Sequence, residues 1–184
     1  MMRKITLPTI ALALLTAVRL LAADAAPLPG ELTFTTHNSV YNAEGRFDSW
    51  KLTKVDIPGG DLTKGTVEIE VDLASVNEKA AKLAAHLRTP DFFDVATHPK
   101  ATIAITGAKP AGEKRYEATA TIDLHGVKGT CPVAFEVVSE KPLAIKGTAT
   151  LDRTAFKIGQ PYDAANKYAP LNEVKIGISA KLTD

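Results

Sequence analysis

The sequence predicts an all-β protein of about eight or nine antiparallel strands with one short helix. Past residue 30, apolar and polar residues alternate with period two, which places the apolar side chains on one face of each strand. Clusters of Gly, Pro and Asp separate these runs, as is typical of turns between strands. A sheet with one apolar face must bury that face, so the strands either close into a barrel or stack as two sheets.

The composition limits the classes of function. The chain has 184 residues, with 22 basic and 21 acidic side chains and a formal net charge of +1. This length suits one domain or two small ones, and no break in composition divides it. The near-zero charge argues against a nucleic-acid partner, which a large basic field would attract. The single cysteine, Cys131, excludes an internal disulfide framework and a cysteine-based zinc cluster.

Residues 1–25 have the features of a secretory signal peptide. A basic start precedes an uncharged run at 5–18, and Ala23 and Ala25 are small residues at the spacing that signal peptidase prefers. The run is too short to span about 30 Å of hydrocarbon, and Arg19 interrupts it. We therefore predict a periplasmic or secreted protein whose mature domain is 26–184. An uncleaved amphipathic anchor is the alternative.

The strands follow from runs of alternation. The clearest runs are 67–73, 116–124, 143–152 and 174–182. Weaker strands fit 31–37, 40–47, 51–57, 100–107 and 131–138. Turns are predicted at 58–61, 109–112, 125–126 and 141–142, where Gly or Pro occurs with polar neighbours.

Residues 77–87 break the period and predict the helix, because NEKAAKLAAHL is rich in good helix formers. Asn77 is a suitable N-cap, and Pro90 prevents continuation. The apolar residues at 80, 83, 84 and 87 share one helical face. The adjacent Phe92 and Phe93 cannot both point inward from an extended chain, so we expect one of them to plug the core.

The predicted inner face carries several small residues on neighbouring strands. They are Ala118, Ala120, Gly147, Ala149 and Ala180. The interior of an eight-stranded barrel is just wide enough to be filled by side chains or to hold one small ligand. Small residues favour an unfilled apolar volume, but large residues from facing strands are equally able to fill it.

Several stretches resemble the YceI-like family of polyisoprenoid-binding proteins. The first combines VDLASV at 71–76, AHLRTPDFFDV at 85–95 and His98-Pro99. IDLHGV at 122–127, DRTAFKIG at 152–159 and the closing strand at 173–182 follow in the family's order. Together these stretches cover most of residues 31–182.

This resemblance implies an extended antiparallel lipocalin-like β-barrel with an apolar tunnel for an isoprenoid or another long-chain lipid. It brings no catalytic residues, so we predict a non-enzymatic carrier without a cofactor. The side chains expected to line the cavity are Val71, Leu73, Leu83, Phe92, Phe93, Ile103, Ile105, Tyr116, Ala118, Ala120, Phe135, Ile145, Ala149, Ile176 and Ile178.

Two other functions use the same barrel. An accessory protein would deliver an isoprenoid quinone to a membrane redox enzyme through transient membrane or membrane-protein contact, and an exposed apolar patch at 87–95 would favour it. A stress or interaction protein would have a solid, ligand-free barrel. The sequence leaves the oligomeric state open.

Other chemistry has weaker support. His37, His86, His98 and His125 are not spaced as a compact ligand pair, so we predict no metal site unless the fold assembles one. His86 and His125 are expected to hydrogen-bond the backbone at a helix end and a turn. No serine lies in a Gly-x-Ser-x-Gly motif. Cys131 is expected to be an inert thiol.

Arg88 and Asp91 fit two arrangements. In one, they and Asp94 form a lid at the barrel mouth, with Arg88 against a ligand head group. In the other, which we favour, Arg88 and Asp91 form a structural pair that pins the helix to the barrel.

Overall fold

The computed structural model describes residues 29–38, 40 and 42–183, so the predicted signal peptide lies outside the described residues. The strands are β1 (Gly30–His37), β2 (Asn42–Phe47), β3 (Trp50–Asp56), β4 (Thr66–Asp72), β5 (Val76–Glu78), β6 (Lys100–Gly112), β7 (Arg115–Leu124), β8 (Val127–Glu140), β9 (Leu143–Asp152) and β10 (Glu173–Lys181). The helix is α1 (Ala81–Leu87). In the part of the chain described, no helix is both long and apolar enough to cross a membrane.

All ten strands form one antiparallel sheet in the order β3-β4-β6-β7-β8-β9-β10-β1-β2-β5. The sheet curls until its ends meet, because β2 continues into β3 and β4 continues into β5. At this corner the Asp48 N–H donates to the Ser75 carbonyl at 3.1 Å, and the Asp72 N–H donates to the Ser49 carbonyl at 3.0 Å. The all-β, lipocalin-like barrel prediction is confirmed. The strand count is ten instead of about eight, since two long strands each break at the corner.

The predicted strands are present, with different ends for two of them. The expected turn at 109–112 is wrong, because β6 continues to Gly112 through two β-bulges. A bulge accommodates Pro110, which has no N–H to donate, and Gly107, which has a φ of 67°. Strand β8 begins at Val127 because His125 and Gly126, both with positive φ, form a two-residue hairpin turn.

The helix is shorter than predicted. Asn77 is not its N-cap, because Asn77 and Glu78 belong to β5 and pair with Arg46 and Gly45 of β2. The helix begins after Ala80, whose carbonyl accepts from the N–H groups of the first turn. Pairing with β2 closes the sheet, and this tertiary gain overrides the local helix propensity of the segment.

The two ends of the barrel interior are packed differently. Near the β6–β7 turn, the rings of Tyr116 and Phe135 stack with centroids 5.3 Å apart at 12°. Gly147 provides room for them, since a Cβ there would lie 3.0 Å from the Phe135 Cβ. This end is filled by large side chains, whereas the end that carries α1 leaves space inside the sheet.

Candidate functional site

A cavity of about 320 Å³ lies inside the barrel at the end that carries α1. Its volume is at the lower end of the range of small-molecule pockets, roughly 300–1,000 Å³. Eight of the described strands contribute to its wall, most of them through alternate residues, as the pleat of a strand favours. Representative strand positions are Leu32, Phe34, Phe47, Val71, Ile103, Ile105, Ala120, Ile122, Val133, Ala149, Ile176 and Ile178.

Small residues keep the wall of this cavity open. Ala120 of β7 pairs with Ile105 on one side and with Cys131 on the other, and all three line the cavity. Ala149 of β9 lies between Val133 and Ile176 in the register, and these also line it. A methyl side chain flanked by larger neighbours leaves volume that no facing residue fills. The alternative of a solid interior is therefore excluded at this end.

The mouth of the cavity is covered by α1 and by residues 88–98, which we call the mouth segment. Leu83 and Leu87 of the helix line the cavity, as do Phe92 and Phe93 of the mouth segment. Both phenylalanines line the cavity, as the predicted lining has them; the expectation that only one of them points inward is wrong, because the mouth segment is coiled into turns instead of extended. The Phe93 N–H donates to the Leu87 carbonyl at 3.0 Å, which holds the turn against the helix end.

Arg88 fixes the helix and the mouth segment to the barrel. Its Nε donates to the Ala74 carbonyl at 2.8 Å, and its Nη2 donates to the Val76 carbonyl at 2.6 Å. Arg88 is not part of the cavity wall, so the geometry favours its structural role over contact with a head group. The partner of Arg88 differs from the predicted one. We expected Arg88 to pair with Asp91, but its hydrogen bonds go to the backbone carbonyls of Ala74, just before β5, and Val76, the first residue of β5.

Arg153 is the one lining residue with a permanent charge among the described residues. It is 4% exposed, and its guanidinium donates to three backbone carbonyls: Leu171 at 3.0 Å, Ile158 at 2.7 Å and Pro170 at 2.9 Å. Burial lowers the pKa of Arg153, and the neighbouring Asp152 opposes that effect. A guanidinium remains protonated in proteins, so this wall carries a positive charge next to an apolar volume.

Most of the predicted lining residues lie on this cavity. They are Val71, Leu73, Leu83, Phe92, Phe93, Ile103, Ile105, Ala120, Ala149, Ile176 and Ile178. Phe135 and Ile145 line a second cavity of about 30 Å³ at the filled end. Tyr116 and Ala118 line neither cavity, since the stacked pair of Tyr116 and Phe135 occupies that end.

The part of the wall that comes from β1 and β2 was not among the predicted lining residues. Leu32, Phe34, Ala43 and Phe47 line the cavity. The alternation of Leu32 and Phe34 was a usable signal, but β2 has few apolar residues and gave none. Arg153 was also missed, because a charged residue in a short motif gives no sign that it will be buried.

The structure bears on the predictions made for two titratable residues, His125 and Cys131. The His125 Nδ1 lies 3.2 Å from the Phe156 carbonyl, which confirms the predicted backbone contact at this turn. Cys131 is buried in the cavity wall, and burial raises the pKa of its thiol. A raised pKa lowers the thiolate fraction at neutral pH, which supports an unreactive thiol.

Comparison with known proteins places this geometry in a family. The sequence profile of the YceI-like domain matches residues 26–182. A UPF0312 protein of Azotobacter vinelandii is 34% identical over 74 residues, which are 40% of this chain and 38% of that protein. A UPF0312 protein of Pseudomonas savastanoi pv. phaseolicola is 31% identical over 127 residues, 64% of each chain. The alignments thus span less than two thirds of either relative.

Solved structures share the fold at lower identity. BcnA of Burkholderia cenocepacia has a TM-score of 0.72 and 21% identity, over 82% of this chain and 94% of its own. A polyisoprenoid binding domain from Saccharophagus degradans, implicated in plant cell wall breakdown, has a TM-score of 0.58 and 19% identity, over 82% and 91% of the two chains. At these identities the likeness shows the fold alone. Because the family profile matches almost all of the described chain, the protein belongs to the YceI-like family.

Proposed function

We propose that the protein is an exported carrier that binds a polyisoprenoid or a similar long-chain amphipathic lipid in the barrel and catalyses no reaction on it. The observation that carries this proposal is the cavity of about 320 Å³ with a predominantly apolar wall. Family membership supports it, as does the fold shared with a polyisoprenoid binding domain. Burial of the ligand is then the whole mechanism.

The energetics of the wall favour an apolar guest. Burying apolar surface gains about 25 cal/mol per Å², and an apolar chain would replace the contacts that an empty volume lacks. The side chains of Ala120, Ala149 and the isoleucines of β6 and β10 carry no hydrogen-bond donor, and polar residues are a minority of the wall: Thr33, Thr36, His86, Thr148, Arg153 and Tyr168. A lipid chain therefore suits this wall better than a sugar or a peptide.

Arg153 gives the ligand an orientation. Three of the five guanidinium N–H groups are used by carbonyls, and we infer that the other two are available to an oxygen of the ligand, since Arg153 lines the cavity. An amphipathic lipid would place its polar end beside Arg153 and extend its chain between the strands of the wall. This assignment supports a lipid with an oxygen-bearing head group over a plain hydrocarbon.

The alternatives have less support. A solid, ligand-free barrel does not agree with the cavity. An exposed apolar patch at 87–95 would have favoured quinone delivery. The apolar residues of this stretch are half-buried instead: Leu87, Phe92, Phe93 and Val95. We retain carriage of a lipid, with transient membrane contact at loading, as the proposed role.

Native mass spectrometry of the exported protein, followed by organic extraction, tests the proposal. We expect an added mass that is lost on extraction and identified as a long-chain lipid. Protein that retains no lipid, and that takes up neither a prenol nor a fatty acid from vesicles, would contradict it. Sequencing the N-terminus of the periplasmic fraction tests export separately, with Ala26 as the expected first residue.

A further inference from the structure

The fold brings together three possible metal ligands that the sequence keeps apart. Asp94, His98 and His125 each present a ligating atom, and these atoms all lie within 4.8 Å of one another. The three residues are half-buried, and the imidazole centroids of His98 and His125 are 4.9 Å apart. We propose that this cluster binds a divalent transition-metal ion, with Zn²⁺ as the best fit.

The backbone brings the first two ligands together in one turn. The Asp94 carbonyl accepts from the His98 N–H at 2.7 Å and from the Thr97 N–H at 2.9 Å. Asp94 has a φ of 44°, a left-handed conformation, and its own N–H donates to the Thr89 carbonyl at 2.9 Å. The turn is therefore held at several points before any ion binds.

The third ligand comes from the β7–β8 turn. His125 has a φ of 54° and precedes Gly126, where an added Cβ would lie 2.8 Å from the His98 Cε1. Glycine at position 126 therefore leaves room for the His98 ring against the turn that carries His125. The cluster thus joins the mouth segment to the wall of the barrel.

The hydrogen bond of His125 prepares it as a ligand. The His125 Nδ1 lies 3.2 Å from the Phe156 carbonyl oxygen. Because a carbonyl oxygen can only accept a hydrogen bond, Nδ1 must be the protonated nitrogen that donates it. The lone pair of the neutral ring is then on Nε2. Histidines that bind metals commonly donate their other ring N–H to a carbonyl or a carboxylate.

The donor set selects the ion. Two imidazole nitrogens and one carboxylate suit Zn²⁺ and its neighbours better than Ca²⁺ or Mg²⁺, which prefer oxygen ligands. Ligands of tetrahedral zinc lie about 3.3 Å apart, so small side-chain rotations would close the present spacing. Three protein ligands leave one position for water. The site is independent of the proposed lipid binding, although an ion there would tie the mouth segment to the β7–β8 turn.

Titration of the untagged, metal-free protein with Zn²⁺ by calorimetry tests the proposal. We expect one ion per chain, a rise in the melting temperature, and a visible absorption band when Co²⁺ replaces Zn²⁺. Asp94→Asn should weaken binding at least about tenfold, as should His98→Gln. Asn tolerates positive φ, so the first variant preserves the turn.

His37→Gln is the matched control, because it removes an exposed histidine outside the cluster. Its affinity for Zn²⁺ should equal that of the unmodified protein. Absence of saturable binding by the unmodified protein would overturn the proposal. Equal affinity in Asp94→Asn would also overturn it, whether or not His98→Gln folds.

Discussion

The ring centroid of Phe93 in the mouth segment lies 5.9 Å from that of Phe47 in β2, with the rings inclined by 55°. Phe47 in turn lies 5.8 Å from Phe34 of β1. This row of tilted rings joins the mouth segment to the strands that close the barrel. All three rings line the cavity, so the row both covers the mouth and touches whatever the cavity holds.

Replacing Phe93 by Ala should therefore loosen the mouth. We expect faster release of a bound fluorescent fatty acid, measured by stopped flow, because the contact with Phe47 is lost. The free energy of unfolding should fall by about 1–3 kcal/mol, less than for a fully buried Phe. Phe93→Leu keeps apolar bulk, so its release rate and its free energy of unfolding should lie between those of Phe93→Ala and the unmodified protein. An unchanged release rate in Phe93→Ala would show that the ligand leaves by another route.

Filling the cavity should reduce binding without unfolding the barrel. Ala120→Phe or Ala149→Phe would place a ring in the space expected for a lipid chain, and we expect much less lipid to co-purify with either variant. Thr121→Phe, on the exposed face of β7, is the matched control and should bind normally. Far-UV circular dichroism checks that each barrel is folded. Equal lipid content in both alanine variants would count against the cavity as the binding site.

Much of the barrel could be predicted from the sequence, because the side-chain period of two is a local property. Runs such as 67–73 and 174–182 alternate strictly, and their apolar residues face inward as expected. The closure of the sheet could not be predicted in this way. It depends on the pairing of Asn77 and Glu78 with β2, which competes with a local preference for helix.

The site was only partly predictable for a similar reason. Ala120 and Ala149 were selected as small residues on an inner face, and they line the cavity. Ala118 satisfies the same rule, yet it lies near the filled end, where Tyr116 stacks on Phe135. Whether a small residue leaves a void depends on its neighbours across the barrel. That information is not in the alternation of one strand.

Cys131 provides a chemical probe of the cavity. Because burial raises the pKa of its thiol, labelling by a maleimide should be slow at pH 8 and should increase only at higher pH than in the urea-unfolded chain. Lipid in the cavity should slow labelling further. As a control, Thr130→Cys in a Cys131→Ala background places the thiol on the exposed face, where lipid should have no effect. If added lipid leaves the labelling rate of Cys131 unchanged, Cys131 does not belong to the wall that contacts the lipid.

Arg153 should be among the most sensitive positions for stability. Arg153→Met leaves the carbonyls of Leu171, Ile158 and Pro170 without their donor in a buried setting, and we expect a loss of about 2–4 kcal/mol in the free energy of unfolding. Arg153→Lys should lose nearly as much, since an ammonium cannot reproduce the planar fork of donors. Urea unfolding followed by the fluorescence of Trp50, which is the only tryptophan and 4% exposed, measures both.

Arg46→Met is the control for loss of an arginine as such. Arg46 pairs with Asp48 on the surface, where both side chains are exposed, so its removal should leave the unfolding free energy almost unchanged. If Arg153→Met unfolds at the same urea concentration as this control, water must satisfy the three carbonyls. The wall at Arg153 would then be wet, and a lipid head group could reach it only by displacing that water.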